Sequence, residues 1–538
     1  MKHCFFFFLF LFFSSQLFSQ GGIWTWMKGD TISSPQPVWG TQGIGEPANT
    51  PAAKYSYYHW QDSTGNFWVY SGVSFSYGNV DGFDDVWKFD VASQNWIWMR
   101  GSTTIDPLAV FGTQGIPSPD NTPGFRYFGS LSWTGKDGKF WLFSGEGGGD
   151  DMWMYDPSIN EWTWMSGSGN GYYPHYGTMQ VASPDNTPGI IDETNASWVD
   201  DAGNLWFFGG IYGWIYSLDV LWKYDVSTLE WTWMNGDTIP DVLPVYGELG
   251  VPSPDNTPGA RDCYSSWQEG EDFWLFGGAS YYTFQSGPTE RNDVWKYSTV
   301  TNEWTWMSGD SVGNNIASAG SYCEANVAFH PGARMENRSC CKDSCGNVWM
   351  FGGIGNDYYG YTSDLWVYRP AENDWSFIAG DLTLSQNSVF GVKGVPSPTN
   401  KPGARDGAIS WFDHEGNFWL FGGHYFLNDL WRFTPDTSCP GAKCHVATAI
   451  ADDHHEENYS VYPNPSSGII NIEISGSENV TIEIRNLFGV LVFSSDEKNI
   501  HPFAKQIDLS RSEASSGIYF ITLKTEKEYR VKKVIITM

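Results

Sequence analysis

One unit of about 70 residues recurs six times in this chain, and this repeat is the feature that most limits the available folds. Its clearest mark is a Trp-x-Trp-Met cluster, degenerate in the sixth copy. The copies begin at Trp24, Trp96, Trp162, Trp231, Trp304 and Trp375. A second mark is an aromatic run that ends in a small pair of residues, and a third is an acidic residue followed closely by Trp. The third mark occupies residues 85–87, 151–153, 219–222, 293–295, 364–366 and 429–431.

Turn signals separate these marks, and no segment has a sustained helical period. Four short strands in each of six units predict an all-β, six-bladed β-propeller. The repeat begins with the Trp-x-Trp strand at Trp24, but no such strand follows Trp431. We therefore expect the N-terminal strand to complete the last blade. Most of the 30 Trp side chains are then predicted to pack between blades.

The repeat resembles the kelch motif. The resemblance rests on the Gly-Gly pair 277–278, the Asn-Asp-Val-Trp-Lys-Tyr of residues 292–297 and Trp304, and it recurs across residues 21–434. It implies a propeller of four-stranded blades, as in galactose oxidase-like proteins. It does not imply one activity, because this fold carries enzymes and binding modules alike.

The ends of the chain predict export. Residues 1–20 have a weakly basic start, an apolar stretch at 5–13 and a small polar end, which is typical of a secretory signal peptide. The apolar stretch is too short to span a bilayer, so no transmembrane helix is predicted. A formal net charge of −31 makes nucleic acid a poor partner. Residues 435–458 are interpreted as an acidic linker.

The C-terminal residues 459–538 alternate β-branched and polar side chains, which predicts a small Ig-like β-sandwich. Their motifs resemble the type A sorting domain of the type IX secretion system found in Bacteroidetes. The residues that carry this resemblance include Pro463, Asn464, Pro465, Gly468, Gly489 and Gly517. It implies the type IX machinery as partner and a secreted or outer-membrane-surface location. An ordinary adhesive sandwich module is the alternative.

Loops between the second and third strands differ from unit to unit and are rich in rings. The ligand-binding candidates are Tyr212, Trp214, Tyr281, Tyr282, Tyr358, Tyr359, His424 and Tyr425. Such rings stack on sugars and bond hydroxyls, so we expect an extracellular glycan or protein ligand. The alternative is that these rings only cover the loops.

A basic residue follows the Pro-rich phrase of the long loops, for example after residues 117–124. The set is Lys54, Arg126, Arg261, Arg334 and Arg405, with Ile191 in the third unit. We expect structural ties to the repeated acidic residues. The alternative is a cationic ring that holds an anion.

No catalytic set is predicted, because the His residues are scattered and the copper ligands of galactose oxidase cannot be placed. The chain is therefore interpreted as a binding module. An extracellular carbohydrate-active enzyme, similar to galactose oxidase or to sialic acid isomerases, is the alternative. No cofactor is predicted. Ca²⁺ stays open at Asp84, Asp85, Asp150 and Asp151, although solvated turn carboxylates are favoured.

Cysteine pairing stays open in sequence, but two expectations follow from spacing. Cys340, Cys341 and Cys345 predict a local disulfide that Cys323 could join, with Cys341 in the place of the usual Trp. Cys439 and Cys444 enclose a Pro-Gly loop and are predicted to form a bridge. Cys263 has no assigned partner.

Overall fold

The structure is a computed structural model in which two compact units, Met1–Cys444 and His445–Met538, are distinct. It describes residues 20–55, 57–76, 79–128, 131–171, 173–194, 197–213, 216–280, 288–355, 360–423, 426–442, 459–462, 466–474, 480–486, 491–497, 503–509, 517–524 and 529–536. These residues are all-β, with a single 3₁₀ turn at Pro440–Ala442 and no α-helix. The predicted signal peptide, apart from Gln20, and most of the predicted linker lie outside them. In this described part, no helix has the length and apolar character needed to cross a membrane.

Six antiparallel sheets form the N-terminal unit, and we number them in chain order. Sheet one has β2 (Tyr58–Gln61), β3 (Phe67–Tyr70), β6 (Val86–Asp90) and β7 (Asn95–Arg100). Sheet two has β8 (Leu131–Thr134), β9 (Phe140–Phe143), β10 (Met152–Asp156) and β11 (Glu161–Ser166). Sheet three has β12 (Trp198–Val199), β13 (Leu205–Phe208), β16 (Leu221–Asp225) and β17 (Glu230–Asn235).

The later sheets repeat this order of strands. Sheet four has β18 (Ser265–Glu269), β19 (Asp272–Phe276), β22 (Val294–Ser298) and β23 (Glu303–Ser308). Sheet five has β26 (Cys340–Lys342), β27 (Val348–Phe351), β30 (Leu365–Arg369) and β31 (Asp374–Ala379), with β24 (Ala325–Asn326) added at its outer edge. Sheet six has β32 (Ile409–Phe412), β33 (Phe418–Phe421), β34 (Leu430–Pro435) and β1 (Gly22–Lys28).

Small hairpins connect the second and third strands of several sheets. They are formed by β4 (Val73–Ser76) with β5 (Asn79–Gly82), β14 (Ile211–Tyr212) with β15 (Tyr216–Ser217), β20 (Ala279–Ser280) with β21 (Thr289–Glu290), and β28 (Ile354–Gly355) with β29 (Gly360–Tyr361). Strand β25 (Arg334–Met335) joins the last of these. In each case the first strand of the hairpin pairs with the segment that precedes the first strand of the same sheet.

Sheet six takes its outer strand from the N-terminus of the unit. Strand β1 pairs antiparallel with β34, so that Trp24 lies opposite Phe433 and Trp26 opposite Trp431. Trp24 is 1% exposed and contacts the rings of Phe351, Phe418, Trp431 and Phe433. The first and last strands of the repeat region are therefore held in one sheet.

Aromatic packing joins each sheet to the next. Trp60 of sheet one stacks on Phe140 of sheet two, and Trp198 of sheet three stacks on Phe273 of sheet four. The same contact links the ends of the series, because Trp411 of sheet six stacks on Phe67 of sheet one at 4.8 Å between ring centroids. A shared buried cluster also contains residues of sheets six and one. Most repeat tryptophans are thus core residues.

The Pro-rich loop phrase covers the free edge of the outer strands. In five units an Asn side chain of the phrase donates from Nδ2 to a Trp carbonyl of that strand. The pairs are Asn49 with Trp96, Asn121 with Trp162, Asn186 with Trp231, Asn256 with Trp304 and Asn400 with Trp24. In sheet five, β24 takes this place. An edge covered in this way cannot pair with another chain, which gives the repeated phrase a structural role.

The disulfide connectivity differs from both sequence expectations. Cys439 bonds to Cys323, so the predicted Cys439–Cys444 bridge is wrong. Cys340 and Cys341 are free thiols, so the predicted bridge within the 340–345 group is wrong as well. The chain turns after β34 and hydrogen-bonds back through the Gly441 N–H to the Cys323 carbonyl at 3.0 Å, which brings Cys439 to Cys323. Spacing along the sequence could not show this contact, which spans 116 residues.

Removing this disulfide is expected to destabilise the N-terminal unit. In the Cys323→Ser/Cys439→Ser variant, the free energy of unfolding should fall by roughly 3–5 kcal/mol, because the bridge closes a long loop in the unfolded chain. Chemical denaturation followed by Trp fluorescence measures the change. Cys340→Ser, which removes a free thiol, is the control. Equal stability of the double variant and wild type would contradict the expected role.

The C-terminal unit contains two antiparallel sheets that share one apolar core. One sheet has β35 (Tyr459–Tyr462), β36 (Ile469–Ile474) and β39 (Phe503–Asp508). The other has β37 (Val480–Asn486), β38 (Leu491–Glu497), β40 (Gly517–Lys524) and β41 (Tyr529–Ile536). Ile472 and Ile507 of the first sheet and Ile482 and Ile521 of the second are buried in the same cluster. The alternation seen in sequence therefore corresponds to one inward face per sheet.

Candidate functional site

The repeated cations form buried ion pairs, each with the carboxylate of the third sequence mark. The pairs are Lys54–Asp85, Arg126–Asp151, Arg261–Asp293, Arg334–Asp364 and Arg405–Asp429. In the last pair, Arg405 Nη1 and Nη2 lie 2.7 and 2.9 Å from the two oxygens of Asp429. Trp431 Nε1 donates to the same carboxylate. Because these cations are already paired, the geometry favours the structural tie over an anion-binding ring.

The third unit replaces the whole ion pair by apolar side chains. Ile191 takes the position of the cation and Val220 that of the carboxylate, and both are buried in one cluster. Trp222 Nε1 accordingly has no acceptor among the described residues. The acidic residue of this mark, Asp219, instead accepts from the Asp237 N–H. Assigning Asp219 to the shared mark was therefore wrong, since it lies one residue before the position that pairs.

The four acidic residues considered for Ca²⁺ have protein partners. Asp85 and Asp151 belong to the ion pairs. Asp84 accepts from the Ser102 N–H, and Asp150 accepts from the N–H groups of Ser168 and Gly171. These carboxylates thus hold turns and sheets together.

A series of strained turns follows the cations, two residues further along the chain. Its described members are Phe128, Glu193, Cys263, Glu336 and Gly407, all with φ between 53° and 58°. The N–H of each of the last four donates to the carbonyl of the member before it. Left-handed backbone is costly for residues other than Gly, and such strain concentrates at functional sites. The series brings side chains from successive units together.

Three side chains of this series and Arg338 form a buried polar cluster, which we call the Glu–Cys–Arg cluster: Glu193, Cys263, Glu336 and Arg338. Arg338 Nε donates to Glu336 Oε2 at 2.8 Å, and its Nη2 donates to Glu193 Oε2. Cys263 Sγ lies 3.1 Å from Glu336 Oε1 and 3.5 Å from Glu193 Oε2. None of the four residues is more than 9% exposed.

The electrostatics of this cluster follow from one guanidinium facing two carboxyl groups. Burial raises the pKa of Glu193 well above its usual value, and the charge of Glu336 adds to the effect. At Glu336, burial also favours the neutral form, but Arg338 outweighs it and lowers the pKa to about 2. Burial, with the charges of Glu336 and Glu193, raises the pKa of the Cys263 thiol. Burial thus favours the neutral form of Glu193 and of the Cys263 thiol, whereas Arg338 favours the ionised form of Glu336.

Asp262 adjoins the cluster and is fully buried. Burial raises its pKa to about 7, although neighbouring Cys263 and Ser217 oppose the shift. Its Oδ2 accepts from Ser217 Oγ at 3.1 Å, whereas Oδ1 accepts no hydrogen bond from any described residue. Asp262 is thus a buried carboxyl that lacks a full set of partners.

Sequence reasoning missed this cluster. Cys263 was left without a role, and neither glutamate nor Arg338 was singled out. One signal was present: the position two residues after the repeated cation varies among Phe, Glu, Cys and Gly in the described units, although the residues around it repeat. When a position varies while its neighbours repeat, its side chain is not needed for the packing that all units share.

Of the predicted ligand-binding residues, the structure describes Tyr212. Its ring packs against Tyr173 at 5.8 Å between centroids, and Tyr173 is 76% exposed. Tyr216, opposite Tyr212 in the β14–β15 hairpin, is 43% exposed. The hairpin is bridged through Ile211 to Asp192, the neighbour of Glu193. The other candidates, Trp214, Tyr281, Tyr282, Tyr358, Tyr359, His424 and Tyr425, lie outside the described residues.

Two glycines of the predicted sorting motif are described. Gly468 has φ of 103°, which favours Gly, and its carbonyl accepts from the Leu509 N–H. Gly517 begins β40 and lies opposite Ile536. Pro463, Asn464, Pro465 and Gly489 lie outside the described residues.

Comparison with known proteins identifies the C-terminal part. Residues 460–537 match the family model of the secretion system C-terminal sorting domain. This domain is the signal of the type IX system, so the chain interacts with that machinery and is secreted or attached to the cell surface. No curated protein matches the chain.

Proposed function

We propose that the exported chain is a glycan-binding module, built on a six-bladed, kelch-like propeller at residues 21–434. The repeated strand order of six sheets and the stacking of Trp411 on Phe67 support this architecture. The pairing of β1 with β34 supports closure by the N-terminal strand.

The observation that carries the binding function is the tyrosine group Tyr173, Tyr212 and Tyr216, in which Tyr173 and Tyr216 are exposed and Tyr212 is half-buried. Side chains of this type present flat apolar faces for stacking on sugar rings, and hydroxyls for hydrogen bonds. The group lies at the hairpin of the third unit and in the loop that precedes this unit, as expected of a single site on a repeated scaffold. Delivery to the cell surface places it where extracellular glycans or surface proteins are available.

Substitution of the tyrosines tests this function. Tyr212→Ala and Tyr173→Ala are expected to weaken glycan binding at least about tenfold each, since an aromatic contact of this size contributes roughly 1–2 kcal/mol. A glycan array followed by calorimetry on the bound sugar measures the effect. Leu108→Ala, which removes a side chain 80% exposed in another loop, is the control. Binding to a surface protein but to no glycan would assign the site to a protein ligand, and full affinity in both Tyr variants would contradict it.

An acid–base enzyme acting on extracellular sugars is the second candidate. The observation that favours it is the buried Glu193–Glu336 pair, in which one guanidinium binds both carboxyl groups while the pKa of Glu193 is raised and that of Glu336 is lowered. Nuclear magnetic resonance of a single sugar anomer incubated with the protein tests it. Interconversion that Glu336→Gln abolishes would support an enzyme, and absence of any conversion by wild type would reject it.

A further inference from the structure

Buried acidity exceeds buried positive charge around the Glu–Cys–Arg cluster. In the part of the chain that the structure describes, Glu193, Glu336, Asp262 and the Cys263 thiol lie around one guanidinium, that of Arg338. Fully ionised, these groups would carry four negative charges against one positive charge. Such an excess is costly in a protein interior unless protons or a cation neutralise it.

The unsatisfied oxygen of Asp262 points to a missing positive partner. Asp262 is 0% exposed, and its Oδ1 accepts no hydrogen bond among the described residues. Asp262 immediately precedes Cys263 in the chain, and its charge interacts with those of Glu336 and Arg338, so the oxygen belongs to the neighbourhood of the cluster. Buried polar atoms are nearly always paired, and an unpaired carboxylate oxygen is among the most costly to leave so.

The ligand atoms are already close together. One atom each from Glu193, Cys263 and Glu336 lies within 4.8 Å of the other two. The three residues come from successive repeat units, and the hydrogen bonds between their backbones fix the spacing. Arg338 binds Oε2 of both glutamates, and its Nη2 also lies 3.4 Å from Glu336 Oε1, the oxygen nearest to Cys263 Sγ. A cation would therefore meet a preformed set of one sulfur and several oxygens.

We infer that Glu193, Cys263 and Glu336, supported by Asp262, bind a thiophilic divalent transition-metal cation such as Zn²⁺. Zn²⁺ takes thiolate and carboxylate ligands together, whereas Ca²⁺ and Mg²⁺ prefer oxygen alone. A dication reduces the net charge of the ionised group from −3 to −1. Binding releases to solvent the thiol proton of Cys263 and any proton that the carboxyl ligands carry. The site is separate from the tyrosine group and does not depend on glycan binding.

Metal binding to the full mature chain tests the inference. After treatment with a chelator and its removal, the protein is titrated with Zn²⁺ by calorimetry, and bound metal is counted by mass spectrometry. Co²⁺ provides a second readout, because a thiolate ligand gives it a near-ultraviolet charge-transfer absorption. We expect one Zn²⁺ per chain and this Co²⁺ absorption in wild type.

Variants of single residues test which side chains bind the metal. Cys263→Ser should lose the Co²⁺ absorption and bind Zn²⁺ at least about tenfold more weakly, a loss that even outer-shell changes produce. Asp262→Asn should weaken Zn²⁺ binding while keeping the absorption. Cys340→Ser, which removes another free thiol, should behave as wild type, and far-ultraviolet circular dichroism checks folding. No Zn²⁺ bound by wild type, or an unchanged Co²⁺ absorption in folded Cys263→Ser, would overturn the inference.

Discussion

Asp429→Val is expected to lower the free energy of unfolding of the N-terminal unit by about 3–5 kcal/mol. The substitution leaves the Arg405 guanidinium buried without its carboxylate, while Arg405 itself is 0% exposed. Water cannot replace the lost partner at this depth. Trp431 Nε1 also loses its acceptor. Urea unfolding followed by Trp fluorescence measures the change.

The double variant Arg405→Ile/Asp429→Val should recover at least about 2 kcal/mol of that loss, since no charge then remains buried. The third unit of the chain already has an apolar pair, Ile191 and Val220, at these two positions. Some loss should persist, because Arg405 also donates to the Gly403 and Gly422 carbonyls. A double variant less stable than Asp429→Val alone would contradict this account.

An exposed ion pair provides the control. Lys136 and Asp201 lie 2.8 Å apart, with side chains 49% and 86% exposed. Water and salt screen such a pair, so Asp201→Ala should leave the unfolding midpoint unchanged. The contrast separates the effect of burial from that of charge.

The all-β fold was predictable because each unit repeats the same local signals. Trp and Phe alternate with polar residues over short strands, and Gly and Asp mark the turns between them. The pairing of Trp24 with the last sheet was expected on the same basis, since the count of Trp-x-Trp strands leaves that sheet one strand short. A repeat makes long-range strand pairing predictable, because every sheet needs the same set of strands.

The Glu–Cys–Arg cluster and the disulfide lacked such a signal. Glu193 and Arg338 are separated by 145 residues and meet only because the turns of successive units converge. Cys323 and Cys439 meet because the chain after β34 folds back onto sheet five. Neither contact is encoded by local spacing. The residues that make them vary from unit to unit, and repetition therefore offers no second copy of either contact from which to infer it.

A variant that lacks residues 21–30 is expected to lose at least about 3–5 kcal/mol of unfolding free energy in the N-terminal unit. The deletion removes Trp24, whose burial alone accounts for a loss of this size. It also exposes the edge of β34 and removes the carbonyls that hold the loop at Gly394 and Asn400. Differential scanning calorimetry measures the fall in thermal midpoint.

Complementation distinguishes loss of this strand from general damage. A synthetic peptide of residues 20–31, added in excess, should restore much of the thermal midpoint by pairing with the open edge of β34. Trp24→Ala in the peptide should abolish the rescue, because the indole is the buried anchor. Ile23→Ala should preserve it, since Ile23 lies on the same strand but is 41% exposed. A deletion variant as stable as wild type would show that β1 does not stabilise sheet six.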